Sequence, residues 1–380
     1  MLKISLALIA LMSAVAHGPA TVNHDAPGPA PQTSQADEAV VPLEGLDPVL
    51  LARGQEKQGD EQFSVRRGRF RYLFASAETK AAFEREPSLY EIQLDGSCAR
   101  MGPNVRGNPD LYLVHKGRIY LFGSPDCVAA FKAKPESYLD SESPEAAAPP
   151  ASEDALRRGR ALVERAVEAA GGAARVDGVT SYAETATAVT PSQGGAREIK
   201  TTVLALYPDR VRVEQTYPFG TIANVLTREG GFSVFPRGQS EMSGAQREAA
   251  DRQFRTGLLP LLRARRADGF KAVALGAGGE AAEQVEVSYG AVRARLSFDP
   301  STGRVLSLSY RGRAPGGEIG QIVRTFSDFR AAGGLTLPFK TVETFGADSA
   351  PVRTLTVESI VINGEVAPSL FERPKTSAAR

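Results

Sequence analysis

A short segment occurs twice in this chain, and it limits what the N-terminal third can fold into. Tyr72-Leu73-Phe74-Ala75-Ser76 runs on to Phe83, Pro87 and Tyr90, and Tyr120-Leu121-Phe122-Gly123-Ser124 runs on to Phe131, Pro135 and Tyr138. Each landmark recurs at one constant offset, and each copy follows a Gly-Arg turn, Gly68-Arg69 or Gly117-Arg118. Duplication at such a period marks a repeated supersecondary unit. The alternating aromatics Phe70, Tyr72 and Phe74, with Tyr120 and Phe122 in the second copy, suit a half-buried strand and supply a small core. Ser76 or Ser124 can accept a bond from the orphan N–H groups that open a helix. Pro87 or Pro135 then stops that helix. Residues 41–139 therefore read as a small α+β domain of two units.

The start of the chain reads as an export signal spanning 1–16. Lys3 gives a minimal positive region, Ile4 to Val15 an apolar stretch, and Ala14-Val15-Ala16 a small-x-small cleavage site. The apolar run is shorter than the ~20 residues a bilayer span needs, and no Cys follows it to take a lipid anchor. No later segment resembles a membrane helix, so the expectation is a soluble periplasmic protein whose membrane contact is transient at most. Residues 17–40 are rich in Pro, Ala, Gly, Gln and Ser and read as a disordered tether. Residues 140–152 carry Ser, Glu, Ala and Pro149-Pro150 and read as a linker. The remaining stretch, 153–375, is long enough to bury its own core.

Forty-five basic residues face 44 acidic ones, which leaves no broad basic footprint for nucleic acid. Two of the three His residues, His17 and His24, lie in the leader, so His115 is the one folded imidazole. No Gly-x-Ser-x-Gly, phosphate loop or His-Glu-x-x-His appears. The expectation is a protein that is not an enzyme, with no catalytic residues and no cofactor.

Cys98 and Cys127 fall in the small domain. In an oxidising compartment a disulfide between them is the default. Two other readings stay open. The thiols can be inert, or they can join Met101 and His115 as a soft donor set for Cu(I) or Zn, although the spacing matches no closed zinc pattern. Cys127 also falls near a helix start, where the dipole favours thiolate.

Beyond the linker, Ser152 caps a helix with Glu153 and Asp154 in its first turn, and Leu156, Val163, Ala166, Val167 and Ala170 form its apolar face before Gly171-Gly172. Strands then follow at steady intervals from Ile199 to Ile362, about ten in all by their alternation and turn signals. A helical stretch, Ser243 to Ala267, interrupts them, with Pro260 placed to kink or split it. Asp299-Pro300-Ser301-Thr302-Gly303 is a strong turn. Strands joined by such short connections must be antiparallel. The fold class is α+β, with a sheet wide enough to curl and helices on its concave side enclosing a packed core or a cavity. Candidate lining residues are Phe219, Ile222, Phe232 and Phe235 on the sheet, with Leu258, Leu259 and Leu262 from the helical lid. Arg210 and Arg212 share a strand face and are candidates to meet acidic lipid head groups.

Leu46-Asp47-Pro48-Val49, the strand to Ser76, Phe83, Pro87, Tyr90 and Gly96-Ser97-Cys98-Ala99 resemble the YHS domain family. That resemblance implies a small fold associated with soft metals. Here Leu50, Ala75, Thr79 and Gly123 stand where metal-binding members carry Cys, so the fold is implied more strongly than the metal. A second resemblance runs through residues 155–375. It is carried by Val176-Asp177-Gly178-Val179, Asp209-Arg210-Val211-Arg212-Val213, Tyr217-Pro218-Phe219-Gly220, Phe298 to Gly303, Ser327-Asp328-Phe329-Arg330, Leu337-Pro338-Phe339, and Ile362-Asn363 with Leu370 to Pro374. These are similar to the periplasmic lipoprotein-sorting carriers, the LolA-like superfamily. The resemblance implies an open antiparallel β half-barrel with a helical lid and an interior for acyl chains. Together these readings lead to an exported, non-catalytic carrier or scaffold that binds a lipid or an acylated protein, with other envelope proteins as further partners. The alternatives are soft-metal handling at Cys98 and Cys127, and a ligand-free interaction module.

Overall fold

The computed structural model describes residues 39–142, 145, 151–192, 195–277, 282–348 and 350–374. The expected export signal, nearly all of the first tether and much of the linker lie outside these residues.

The duplicated sequence folds as a duplicated structure. In the first copy β1 (Asp60–Arg67) pairs antiparallel with β2 (Phe70–Phe74), and Ser76 caps α2 (Ala77–Arg85), following α1 (Pro48–Ala52). Pro87 opens the short α3 (Pro87–Tyr90). In the second, β5 (Asn108–His115) pairs with β6 (Arg118–Phe122), and Ser124 caps α4 (Pro125–Ala133). Both caps accept the N–H three residues on at 3.4 Å. Phe74 meets Phe83 edge-on with centroids 5.1 Å apart, and Phe122 meets Phe131 in the same way at 5.1 Å. The aromatics of each unit cluster separately, with Ile119 and Leu121 of β6 completing the first core, so the strand aromatics are packing residues.

The repeat extends further upstream than its aromatic landmarks. Leu43-Glu44-Gly45 and Leu94-Asp95-Gly96 form matching 3₁₀ turns, and all six residues have positive φ. Each turn delivers an acceptor to the end of the next aromatic strand. In the first unit the fully buried Asp47 accepts from Val49 N and Leu50 N, at 2.8 and 3.2 Å, and from Ala75 N at 2.8 Å. In the second, the Cys98 sulfur accepts from Met101 N at 3.5 Å and from the Gly123 amide, the counterpart of Ala75. Cys98 thus stands where the first unit has a carboxylate. The second unit is completed by β3 (Ser97–Cys98) and β4 (Gly102–Arg106), in a sheet ordered β4-β3-β6-β5.

After the linker, α5 (Glu153–Ala169) starts at the expected cap, where Ser152 Oγ accepts from Ala155 N at 3.1 Å. Its buried stripe, Ala155, Gly159, Val163, Ala166 and Val167, lies against the sheet. A methyl group on Gly159 would sit 2.4 Å from the carbonyl oxygen of Ala272, so only glycine lets helix and strand approach this closely. α6 (Ala173–Asp177) follows.

The rest is one antiparallel sheet of 13 strands among the described residues. One meander is β7 (Ser181–Ser192), β8 (Gly195–Leu206), β9 (Arg210–Tyr217), β10 (Gly220–Leu226), β11 (Gly231–Phe235) and β12 (Gly238–Glu241). The other is β13 (Lys271–Ala277), β14 (Glu283–Tyr289), β15 (Val292–Phe298), β16 (Val305–Arg313), β17 (Ile319–Ala332), β18 (Leu335–Phe345) and β19 (Arg353–Ile362). The first and last strands, β7 and β19, pair and join the two meanders in the middle of the sheet. Sequence alternation anticipated ten of these strands and missed β7, β12 and β13. β7 reads Ser-Tyr-Ala-Glu-Thr-Ala-Thr-Ala, whose small residues dilute the apolar signal.

The chain crosses from edge strand β12 to edge strand β13 through α7 (Gly244–Arg255) and α8 (Leu258–Arg263). The helical stretch is split as expected, but at Gly257 rather than at Pro260. Pro260 falls in the first turn of α8, where the N–H it lacks would have no intrahelical partner. The halves of the sheet differ in filling. Strands β13 to β17 pack solidly on α5, α6 and α8 through Val163, Val167, Leu261, Leu262, Val285, Leu296, Phe298 and Leu308. The two domains touch: Arg313 Nη1 donates to Arg100 O at 2.8 Å, and Arg100 Nε donates to Gly316 O at 3.2 Å.

Candidate functional site: a cavity in the curl of the sheet

The other half of the sheet does not fill. Strands β7 to β10 on one side and β17 to β19 on the other face a common cavity of about 430 Å³, roofed by α7 and α8. Alternation decides which side chains point in. Glu184, Val203, Val213 and Asn224 lie opposite one another across four strands and all line it. Ala188, Val211, Leu226, Phe326, Leu337, Leu355, Val357 and Ile360 make most of the wall apolar, with Phe254, Leu258 and Leu259 contributed by the roof. One lining residue, Asn104, comes from β4 of the small domain.

The expected lining residues distribute as follows. Leu258 and Leu259 line the cavity, while Leu262 is buried in the solid half of the core. Phe232 lies opposite Val225 on the other face of the sheet and packs with Phe371 of the C-terminal 3₁₀ turn (Pro368–Phe371). Phe219 is 68% exposed and stacks on Tyr217, Phe235 is 41% exposed, and Ile222 shares the inner face of β10 without reaching the cavity wall. Arg212 belongs to the outer face, bonded to Glu214 at 2.6 Å and to Leu370 O at 3.0 Å, and Arg210 shares that face and is exposed. The physical reason is period-2 alternation: Val211 and Val213 take the inner positions of β9, which turns the arginines out.

The charges that do face inward were missed. Arg324 on β17, Glu343 on β18 and Arg353 on β19 are direct cross-strand partners and form one rung of the sheet. Arg324 Nε donates to Glu343 Oε1 at 2.7 Å, and Arg353 donates through Nε to Oε2 at 2.8 Å and through Nη2 to Oε1 at 2.9 Å. Arg324 also donates to Thr256 O at 2.9 Å and to Tyr310 Oη at 2.8 Å, tying the α7–α8 junction to the sheet. Burial alone would push the Glu343 carboxyl up, but the two guanidiniums outweigh it and hold it below the ordinary value. All three residues occupy positions that alternate with apolar ones, Ile322 and Phe326, Phe339, and Leu355 and Val357. A charge in the apolar phase of a strand was the available signal.

Glu184 sits elsewhere in the same cavity, with Tyr182 Oη donating to it and, among the described residues, no cation paired with it. Burial raises its carboxyl pKa. Tyr207 lies close by with its hydroxyl buried and, among the described residues, without a hydrogen-bond partner, and burial pushes it up to about 12.

In the small domain Cys98 and Cys127 are free thiols, which corrects the expected disulfide. The reason is visible in the bonding: Cys98 serves as an amide acceptor in the place of Asp47, and Cys127 accepts from Ser124 Oγ at 3.4 Å and from Arg100. Burial alone would raise the Cys127 thiol, but its bonds to Ser124, Cys98 and Arg100 bring it below the ordinary value, while burial raises Cys98. His115 Nε2 donates to Glu142 Oε1 at 2.6 Å, and Met101 meets Cys98 through its backbone. Among the described residues no three His, Cys, Asp or Glu side chains are grouped to hold a metal ion, and none of the helices is long and apolar enough to cross a membrane.

No family model and no curated protein matches the chain. Solved structures with some similarity include a DUF1329 family protein from Desulfovibrio piger (10% identity, 57% of this chain and 97% of that one, TM-score 0.42). A LolA superfamily protein from Nitrosomonas europaea matches at 13% identity over 57% of this chain and 97% of that one, with a TM-score of 0.41. A putative outer membrane lipoprotein-sorting protein domain from Vibrio parahaemolyticus matches at 10% identity over the same shares, with a TM-score of 0.39.

Proposed function

We propose that the C-terminal domain binds an apolar chain in the cavity under α7 and α8 and that the protein acts as a non-catalytic lipid carrier or scaffold of the cell envelope. The observation that carries this reading is the unfilled half of the sheet. Its volume of about 430 Å³ falls within the ~300–1,000 Å³ typical of small-molecule sites. Its wall is mostly apolar, with a few convergent polar groups. Its charged rung, Arg324, Glu343 and Arg353, is tied together and, through Arg324, to the α7–α8 junction rather than set out as nucleophile and base. Export through residues 1–16, and the placing of residues 41–139 in a YHS-like fold, belong to the same proposal. In it the small domain, which contributes Asn104 to the wall, helps close one end of the cavity.

Uptake of a fluorescent long-chain probe by the full chain tests the reading. Val203→Trp places a large side chain in the cavity. It is expected to abolish saturable uptake while leaving the circular dichroism spectrum unchanged. Uptake that persists unchanged in this variant rules the cavity out as the binding site.

A further inference from the structure

The rung Arg324–Glu343–Arg353 carries two guanidiniums on one carboxylate, so one positive charge in the cavity wall has no partner within the rung. Arg324 is fully engaged, with Glu343, Thr256 and Tyr310 taking its donors. Arg353 is not. Its Nε and Nη2 bond Glu343, and among the described residues Nη1 has no partner. Arg353 lines the cavity and is the outermost of the three. A surplus charge beside an apolar surface is costly unless an opposite charge completes it, and a planar guanidinium edge suits a carboxylate.

Among the described residues the only other carboxyl lining the cavity is Glu184, which faces Ile360 across the β7–β19 pair. Ile360 lies roughly 20 Å from Arg353 along β19 at about 3.3 Å per residue, too far to neutralise the rung. Leu355, Val357 and Ala188 line the stretch between them. Among the described residues the lining therefore has a cationic end, an apolar length and an end with no cation in the wall itself, where Arg263 lies behind the wall with its guanidinium 4.2 Å over the Tyr207 ring.

Resting on the carrier reading above, we infer that the cavity selects a single-chain amphiphile with a monoanionic carboxylate head, bound with the head at Arg353 and the chain running toward Glu184. The volume is at the small end of the range for ligand sites, which favours one chain over a diacyl lipid.

The experiment titrates the full chain with dodecanoate, its methyl ester and dodecyl phosphate, for the wild type, Arg353→Gln and Arg353→Lys. Removing Arg353 leaves a neutral Arg324–Glu343 pair, so the fold should hold, and thermal midpoints check this. The expected result is dodecanoate binding at least about tenfold tighter than the ester, the difference a charge-assisted hydrogen bond makes. That preference should fall to about one in Arg353→Gln and be partly kept in Arg353→Lys. Equal affinity of acid and ester in the wild type, or a preference that survives Arg353→Gln, overturns the head-group assignment and leaves the apolar cavity standing. Tighter binding of dodecyl phosphate than of dodecanoate overturns the carboxylate assignment. Binding of none of the three probes overturns the carrier reading itself.

Discussion

Glu343→Leu is the most informative perturbation of stability, because it removes the one carboxylate shared by two cavity-wall arginines. Three hydrogen bonds of 2.7, 2.8 and 2.9 Å disappear together. Taking one partner out of a buried ion cluster costs about 3–5 kcal/mol, most of it from the charges left behind. Side-chain exposure decides where in that range the cost falls. Arg324 is 10% exposed and has little access to water, whereas Arg353 at 28% has more, which points to the lower end, about 3 kcal/mol. Replacing all three together, Arg324→Met, Glu343→Leu and Arg353→Met, removes every stranded charge. By the same reasoning it should be neutral or stabilising by about 1–4 kcal/mol, nearer neutral here because Tyr310 and Thr256 lose their donor. Urea unfolding followed by circular dichroism suits a chain with no Trp, and amide exchange of β17 to β19 isolates this region in a protein of two domains. A single variant within about 1 kcal/mol of the wild type would refute the reasoning, since the rung would then already be solvated like surface ion pairs.

Further outcomes follow from other sites. Gly159→Ala gains about 1 kcal/mol of helix propensity but drives a methyl group to 2.4 Å from Ala272 O. Overpacking of about 1–3 kcal/mol should win, and a raised melting temperature would contradict it. The folded chain holds the Glu184 proton more tightly than the unfolded chain does. Stability should therefore fall as pH rises above the ordinary Glu value of about 4.3, and Glu184→Gln should flatten that fall in urea midpoints. Asp299 is held down to about 2 by Ser301 and Thr302. Its contribution is present above the ordinary Asp value of about 3.9 and lost toward pH 2, so Asp299→Ala should narrow the acid-stability difference in the same assay. Asp47→Ala strips three amides of their acceptor and should cost about 2–4 kcal/mol, read as earlier melting of the small domain alone.

How much of this was legible follows from what each signal encodes. The aromatic repeat predicted two strand–cap–helix units because Ser76, Ser124, Pro87 and Pro135 act locally, and local chemistry survives in sequence. The matching turns at Leu43-Glu44-Gly45 and Leu94-Asp95-Gly96 were equally local, but one is followed by Asp47 and the other by Cys98, which hid their equivalence. The antiparallel sheet was readable from short connections, whereas the β7–β19 pairing is a contact between distant segments that no local pattern records. At the site, aromatic character drew attention to Phe219, Phe232 and Phe235, yet strand phase places Phe232 on the outer face. Phase also placed Arg324, Glu343 and Arg353 inside. For an open sheet, the position of a residue in the alternation says more about the cavity than its hydrophobicity does.

The most direct test of the central claim is native mass spectrometry of the freshly purified full chain, with its bound molecules released and identified. The account predicts a single-chain carboxylate bound one per protein and absent from the Val203→Trp variant. A chain that carries nothing, and stays unoccupied after incubation with dodecanoate, contradicts it.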